Sequence, residues 1–407
     1  MKRLAVALIL LVTVVTAGCV DAGKRDKKEA APGPEVVLGI ERVDEYAKLF
    51  AGQRVGLITN QTGVDSKLRS SEDILLEKTN LTGIFVPEHG LFGAVAAGDD
   101  VDGDKYRGVQ VYSLYGATRR PTAEMLDAID VMTVDIQDVG ARHYTYVSTM
   151  AYAMEACAKA GKKFVVFDRP NPIGGLIEGP TLKKGMESFI GLYQVPLRHG
   201  MTIGEYARYI NATQQLGLDL TVVPMQGWKR SMYWQDTGLP WVGTSPQIPT
   251  SDTALYYVTT GVLGDTNLSV GIGTAKPFYY VGAPFARQDE VAARLNGLKL
   301  PGVQFRPAVF IPNYGAFAKE VNRGVELYIT DPQVYRAALT GASILRSFEE
   351  LYPNKVVYPA RYGGEGYKLD IALGENGLRV GVPLERLLPR WEREAQEFAQ
   401  QVQPQLL

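Results

Sequence analysis

Cysteine is scarce in this sequence. Two cysteines stand among 407 residues, which excludes a framework of several disulfides. Cys157 falls at helical spacing with Met150 and Met154, a pattern typical of a buried core thiol rather than of a nucleophile. Charge of one sign is also missing, since 43 basic and 44 acidic side chains nearly cancel. The basic residues form no cluster beyond the N-terminal segment, so we expect no nucleic-acid partner.

The apolar run at the N-terminus is too short to span a bilayer comfortably. It covers residues 4–15, follows Lys2 and Arg3, and precedes Thr16-Ala17-Gly18-Cys19. These small residues are similar to a bacterial lipobox, in which the cysteine is lipidated and becomes the mature N-terminus. The alternative is an ordinary cleaved signal peptide, which leaves Cys19 as an unexplained thiol. We expect an exported cell-envelope protein that is lipid-anchored to the membrane through Cys19, with a signal peptide at 1–18 and a polar tether at 19–35.

Short β-branched runs alternate with helical patterns from residue 36 to residue 245. This alternation is typical of a mostly parallel sheet covered by helices, a Rossmann-like layering. Strands are predicted at 55–59, 83–86, 109–112, 131–134, 164–167 and 220–223. Helices are predicted at 71–78, 122–129, 144–159 and 202–215, the last with Thr202 and Glu205 in the relation of a capping box.

Residues 246–407 differ in composition, with many glycines and prolines, and we interpret them as a separate, smaller α+β domain. Two helices are predicted in this domain, one beginning at Asp331-Pro332 and one over about 384–402. The predicted fold class is therefore α/β, with a Rossmann-like domain followed by an α+β domain. No strand runs into Gly-x-Gly-x-x-Gly and no Walker sequence occurs, so we expect no cofactor.

Polar side chains follow four of the predicted strands. Ligands of parallel α/β sheets bind beyond the carboxyl ends of the strands, which makes these side chains candidate site residues. They are Asn60, Glu88, His89, Asp135, Gln137, Asp138, Asp168, Arg169 and Asn171. Each of the smaller polar residues also has an ordinary alternative role in a turn or a helix cap.

The three histidines of the chain all stand beside glycine or arginine in loop-like segments. No two have the close spacing of a helix-borne metal-binding pair and no cysteine supports them, so no metal site is predicted. Neutral imidazole suits hydrogen bonding to a polar substrate or orientation of a carboxylate. The segments supply the substrate-binding candidates Arg142, His143, Arg198 and His199 besides His89.

Carboxylate chemistry fits the sequence better than serine chemistry does. No Gly-x-Ser-x-Gly elbow occurs, whereas Glu88 follows an apolar strand, where partial burial suits a general acid. Glycoside hydrolysis combines such an acid with a second carboxylate or a substrate group. Trp241 and its neighbouring aromatic residues suit a sugar ring in a cleft and, equally, a domain interface.

Several segments resemble the exo-β-N-acetylmuramidase family of NamZ type, glycoside hydrolase family 171, long catalogued as a domain of unknown function. They lie at 56–65, 87–93, 135–146, 168–172, 178–180, 198–202 and 241–250. The resemblance implies a Rossmann-like catalytic domain, a smaller C-terminal domain, and an active site in the cleft between them. It further implies release of N-acetylmuramic acid from the non-reducing ends of peptidoglycan fragments. The family's catalytic glutamate corresponds to Glu88, with His89 as its orienting neighbour, and a second glutamate to Glu178, for which we infer a catalytic role.

The second half departs from the family pattern. Gly264-Asp265-Thr266-Asn267 stands in place of Glu-Gly-Thr-Asn, and Ile272 stands where the pattern has an arginine. A guanidinium at that position suits the lactyl carboxylate of a muramyl sugar. Lys276, Arg142 and Arg198 are the candidates to replace it.

Two alternatives from other functional classes stay open at this point. One is a non-catalytic lipoprotein that captures cell-wall sugars, because two α/β lobes around a cleft also describe solute receptors. The other is a metal-dependent phosphoesterase that uses Asp135 and Asp138.

Overall fold

A seven-stranded sheet forms the centre of the first half of the computed structural model, which describes residues 36–100, 104–361 and 366–407. The predicted signal peptide, the tether and Cys19 lie outside the described residues. The strands of the first half are β1 (Arg54–Thr59), β2 (Asn80–Val86), β3 (Lys105–Tyr106), β4 (Val109–Ser113), β5 (Val131–Asp135), β6 (Lys163–Phe167), a hairpin of β7 (Glu178–Thr181) and β8 (Pro196–Arg198), and β9 (Leu220–Val223).

The sheet has the strand order β3-β4-β2-β1-β5-β6-β9. Only β3 pairs antiparallel, and the six other strands follow the Rossmann order, with the reversal of direction between β1 and β5. The predicted Rossmann-like fold is therefore confirmed, and all six predicted strands are present.

Burial on both faces explains why these strands read as continuous apolar runs. Every residue of β5 is buried, and in β1 only Arg54 is not. Central strands of a parallel sheet are covered on both sides, so they need apolar side chains at successive positions rather than at alternate ones. Ile58 of β1 lies between Phe85 of β2 and Val134 of β5 and places these side chains in the core.

The helices described in the first half are α1 (Ser71–Lys78), α2 (Ala123–Asp127), α3 (Tyr146–Lys159) and α4 (Ile203–Thr213). The predicted capping box of α4 is present, because Glu205 N–H donates to the Thr202 hydroxyl and Thr202 N–H donates to the Glu205 carboxylate. In α3, Cys157 is buried in the core with no exposed surface, as its helical spacing predicted.

The second half combines a three-stranded antiparallel sheet with helices. Its elements are α5 (Thr253–Thr260), β10 (Tyr280–Ala283), α6 (Gln288–Gly297), β11 (Val303–Phe310), β12 (Asn322–Ile329), α7 (Ala337–Leu351), α8 (Lys368–Leu373) and α9 (Leu384–Val402). The sheet order is β10-β12-β11. The predicted α+β character is confirmed, and α9 has the predicted bounds.

The predicted helix start at Asp331-Pro332 is wrong. The Asp331 carboxylate accepts a hydrogen bond from Gln333 N–H and its carbonyl accepts one from Tyr335 N–H, so Asp331 closes a turn. The helix begins at Ala337, whose N–H donates to Glu178 over 3.1 Å. A carboxylate from a distant strand therefore supplies the capping that the local sequence was expected to provide.

Arg142 joins the loop before α3 to both the hairpin and the second half. Its guanidinium is 1% exposed and donates to the carbonyls of Pro180, Val195 and Ala372. Gly374 ends α8 with φ +79°, and a Cβ there would lie 2.7 Å from Arg142 Nη2. A glycine at this position thus allows α8 to approach the guanidinium.

Within residues 36–100, 104–361 and 366–407, no helix has the length and the apolar character needed to cross a membrane.

Candidate active site

A cavity of about 850 Å³ lies where the loop after β2, the loop before α3, the end of α5 and the start of α8 meet. Of the site residues predicted from the sequence, Glu88, His89 and His143 line it. Its other charged or titratable lining residues are Tyr115, Arg119, Tyr144, Tyr257, Asp265, Arg361 and Lys368.

Glu88 is 7% exposed and is held at the cavity wall by hydrogen bonds to both carboxylate oxygens. Gly98 N–H donates to Oε1 over 2.8 Å, and the Thr145 hydroxyl donates to Oε2 over 2.7 Å. Burial and the nearby Glu88 carboxylate raise the pKa of Tyr115 to about 12, so the Tyr115 hydroxyl stays protonated beside Glu88. The carboxylate is thus oriented from three sides.

His89 acts on the shape of the loop rather than on the Glu88 carboxylate itself. Its backbone has φ +74°, a left-handed conformation that is uncommon for a residue with a side chain. Its Nδ1 lies 2.8 Å from the carbonyl of Val95, and Val95 N–H donates back to the His89 carbonyl. This closed loop turns the chain directly after Glu88.

His143 is a neutral hydrogen-bonding group in the cavity wall. Burial, assisted by the positive charge of Arg142, lowers the pKa of His143 to about 3. Its ring stacks on Tyr257 with centroids 4.4 Å apart, and neither ring nitrogen has a hydrogen-bond partner among the described residues. A neutral imidazole offers one donor and one acceptor, so both are left for a ligand.

Asp265 is the second carboxylate of the cavity. It ends the short 3₁₀ segment Gly261–Asp265 after α5 and lines the cavity. Burial raises the pKa of Asp265 to about 6, against the opposing charge of Lys368. In the sequence, Asp265 stands at a position where the family pattern has glycine.

The polar residues at the carboxyl ends of β1 and β5 bind one another instead of reaching the cavity. Asp135 has no exposed surface and pairs with Arg169 over 2.9 Å. Asn60 donates to the Tyr146 hydroxyl over 2.7 Å and accepts from Thr62. The polar side chains at these strand ends are therefore engaged with neighbouring side chains of the protein.

The predicted residues around the end of β6 are also engaged internally. Gln137 donates to the carbonyls of Asp138 and Pro170, and Asn171 donates to the carbonyl of Met201. Asp168 accepts hydrogen bonds from Thr202 and Gly204 at the start of α4. Burial raises the pKa of Asp168 to about 7. None of these predicted substrate-binding residues lines the cavity.

Asp138, His199 and the two predicted arginines are likewise separate from the cavity lining. His199 Nε2 lies 3.5 Å from the Asp138 carboxylate, and its Nδ1 accepts from Met201 N–H. Arg142 is bound to three carbonyls, and Arg198, with no exposed surface, pairs with Glu178. Their contacts indicate structural roles.

Glu178 lies on a different cavity of about 520 Å³, between β7 and α9. Its Oε1 accepts from Arg198 over 3.0 Å and from the first N–H of α7 over 3.1 Å. A carboxylate at a helix N-terminus is favoured by the helix dipole. The structure therefore separates Glu178 from Glu88 and engages it as a buried ion pair and helix cap.

Trp241, Ile272 and Lys276 lie in three different environments. Trp241 packs edge-on against Trp234 at a centroid distance of 4.9 Å and does not line the cavity. Ile272 lines the cavity. Lys276 is paired with Glu326, whose second oxygen binds Arg306. Over the described ranges, no group of three or more His, Cys, Asp or Glu is placed to hold a metal ion.

Comparison with known proteins identifies the family. The family model described as "Exo-beta-N-acetylmuramidase NamZ, N-terminal" matches residues 55–252, and its C-terminal counterpart matches residues 255–407. The chain is 44% identical over 388 residues to the peptidoglycan beta-N-acetylmuramidase NamZ of Bacillus subtilis strain 168, covering 93% of this chain and 92% of that protein. The chain belongs to the exo-β-N-acetylmuramidase NamZ family.

Two solved structures share the fold. Both are DUF1343 family proteins from Bacteroides fragilis NCTC 9343. One has a TM-score of 0.85 and 39% identity, covering 92% of this chain and all of that one. The other has a TM-score of 0.74 and 26% identity, covering 91% of this chain and 98% of that one.

The Glu178 geometry predicts a stability defect rather than a catalytic one. Glu178→Gln leaves Arg198 buried without its counter-charge, so we expect the free energy of unfolding to fall by about 3 kcal/mol in urea titrations. The turnover of muramyl substrate per folded molecule should stay within about two-fold of the wild type. Normal stability with lost turnover would return Glu178 to a catalytic role.

Proposed function

We propose that this protein is an exo-acting glycoside hydrolase that releases N-acetylmuramic acid from the non-reducing ends of peptidoglycan fragments. The observation that carries the proposal is the Glu88 carboxylate, which hydrogen bonds orient in the cavity. Beside it in the lining stands a neutral His143 whose ring nitrogens have no hydrogen-bond partner among the described residues. Membership of the family and the activity in the name of the Bacillus subtilis relative support the same substrate class.

The cavity suits a hydroxyl-rich ring with some apolar surface. Its volume of about 850 Å³ lies within the range of roughly 300–1,000 Å³ that is usual for small-molecule sites. His143 supplies one donor and one acceptor, and the rings of Tyr257, Phe189 and Phe278 supply apolar walls. Sugar hydroxyls and ring faces need both kinds of group.

Catalysis follows from the two carboxylates. As the glycosidic bond breaks, its electron pair goes to the leaving oxygen, which takes the proton of Asp265. The positive charge that develops at the anomeric carbon is stabilised by Glu88. Water then adds its hydroxyl to that carbon, and the proton it loses restores the spent acid. This assignment makes Asp265 the acid and Glu88 the carboxylate at the anomeric centre, in place of the acid role first predicted for Glu88.

The alternatives fit these contacts less well. A sugar receptor has no need for a buried carboxylate held by Gly98 and Thr145. A phosphoesterase built on Asp135 would need that carboxylate in a cavity, yet Asp135 is fully buried against Arg169.

Glu88→Gln should abolish hydrolysis of a chromogenic N-acetyl-β-muramide while the fold persists. The amide keeps the size of the side chain but loses its negative charge, so we expect kcat/KM to fall by about 10³-fold or more. Circular dichroism checks the fold. The control is Glu77→Gln, which removes an exposed carboxylate whose ion pair among the described residues is with Arg69. Full activity of the Glu88 variant would refute the proposed function.

Asp265→Asn tests which of the two carboxylates protonates the leaving group. A chromogenic aryl leaving group departs without protonation, so we expect this variant to keep most aryl-glycoside turnover and lose about 10²-fold on a natural disaccharide. The pKa of Asp265 is about 6, and an acid must carry its proton, so wild-type activity on the disaccharide should fall as the pH rises through 6. The variant should lack this fall.

The charged groups that could alter this pH profile are those that share the cavity with Asp265. Lys368 and Arg361 line this cavity, and His143 stays neutral because its pKa is about 3. Equal losses on both substrates in Asp265→Asn would contradict its role as the acid.

We also propose that the protein is exported and lipid-anchored at Cys19. Lys2 and Arg3, the apolar run and the small residues before Cys19 support this, as does a substrate that lies outside the cytoplasmic membrane. Cys19→Ser should move the full-length protein from the membrane fraction to the soluble fraction after cell lysis. Retention in the membrane fraction would argue for another anchor.

A further inference from the structure

One cation at the rim of the cavity stacks on two aromatic rings and forms no ion pair with any described residue. The guanidinium of Arg119 lies 4.9 Å from the ring centroid of Tyr115 and 4.3 Å from that of Phe189. Arg119 lines the cavity and is exposed, and it forms no ion pair within the part of the chain that the structure describes. Stacking fixes the plane of a guanidinium and leaves its N–H edges directed outward for an anion.

The other cations considered for anion binding are already engaged. Arg142 donates to three backbone carbonyls, Arg198 pairs with Glu178, and Lys276 pairs with Glu326. At the position of the family's arginine, Ile272 presents only an apolar surface to the cavity. An anionic group of a substrate must therefore find its counter-charge elsewhere in this cavity.

Tyr115 connects Arg119 to the catalytic carboxylate. Its hydroxyl lies beside Glu88, whose charge raises the pKa of Tyr115, and its ring carries the Arg119 guanidinium. The Tyr115 side chain therefore interacts with both the Glu88 carboxylate and the Arg119 guanidinium. In N-acetylmuramic acid the lactyl ether stands on C3 of the same ring whose C1 is attacked, so the cation that binds the lactyl carboxylate must lie near the catalytic carboxylate.

We propose that Arg119 binds the lactyl carboxylate of the muramyl residue and thereby selects muramyl over glucosaminyl ends. The inference rests on the proposed function and names the group of the substrate that the rim recognises. Lys368 and Arg361 are the remaining cavity cations. The charge of Lys368 acts on Asp265, and among the described residues Tyr115 forms its cation–π contact with Arg119 rather than with Arg361.

The test compares two chromogenic substrates, N-acetyl-β-muramide and its analogue with a carboxamide in place of the lactyl carboxylate. The wild type should prefer the carboxylate by about ten-fold or more in kcat/KM, mostly through KM, and added salt should weaken the preference because the site is exposed. Arg119→Gln should reduce the preference to below about two-fold, and Arg119→Lys should recover part of it.

Arg120→Gln is the matched control. Arg120 is the adjacent residue and carries the same charge, but it pairs with Glu155, stacks on Tyr152 and does not line the cavity. This variant should keep the wild-type preference. Arg361→Gln, made in parallel, should keep it as well.

The possible outcomes distinguish a failure of the proposed glycosidase function from a failure of the Arg119 assignment. Turnover of neither substrate by the wild type would refute the proposed function. Turnover without a preference for the carboxylate, a preference unchanged in Arg119→Gln, or a preference lost only in Arg361→Gln would each overturn the assignment of Arg119 while leaving the glycosidase intact.

Discussion

The cavity depends on one buried cation. Arg142 stands directly before His143 in the loop that also carries Thr145, and its guanidinium holds the carbonyls of Pro180, Val195 and Ala372. Hydrogen bonds from a charged donor contribute roughly 1.5–3 kcal/mol each, and here they offset the desolvation of a fully buried charge. Burial, assisted by the same charge, lowers the pKa of His143 to about 3. A single side chain thus joins the second half of the chain to the loop and helps to keep the adjacent imidazole neutral.

The polar ends of the central strands serve the site indirectly. Asp135, Arg169 and Asn60 saturate one another where the Rossmann sheet reverses its strand order, the place where ligands of this fold commonly bind. With that crevice filled by side chains, the cavity lies beyond β2, where the second half of the chain covers Glu88. In this chain Glu88 follows β2, one strand away from the position where ligands of this fold commonly bind.

Local sequence features predicted much of the fold. Buried parallel strands need apolar runs and α4 needs its cap, so residues 55–59 and the pair Thr202 and Glu205 were informative on their own. The start of α7 was not predictable in this way, because its cap is Glu178, a residue 159 positions away. Sequence patterns describe neighbours along the chain, and this contact is made only by the folded protein.

The same difference between local and long-range contacts explains which site residues could be predicted from the sequence. Glu88 and His143 were found because their short segments are distinctive, and both line the cavity. Asp135 and Asp168 were chosen by the same reasoning but lie in the interior, since a strand-end carboxylate looks alike whether it faces a ligand or an arginine. Asp265 and Arg119 were not predicted, because their settings depend on residues far away in the sequence, Glu88 in the same cavity for Asp265 and Phe189 for Arg119.

The left-handed backbone of His89 affects how variants at this position should be understood. Histidine, asparagine and aspartate accept φ near +74° more readily than other residues with side chains, and glycine accepts it without strain. A β-branched substitute would disturb the turn that aims Glu88 even if the imidazole itself took no part in the chemistry. A mutational survey at residue 89 would therefore report a backbone requirement together with a side-chain requirement, and only glycine or asparagine substitutions isolate the contribution of the ring.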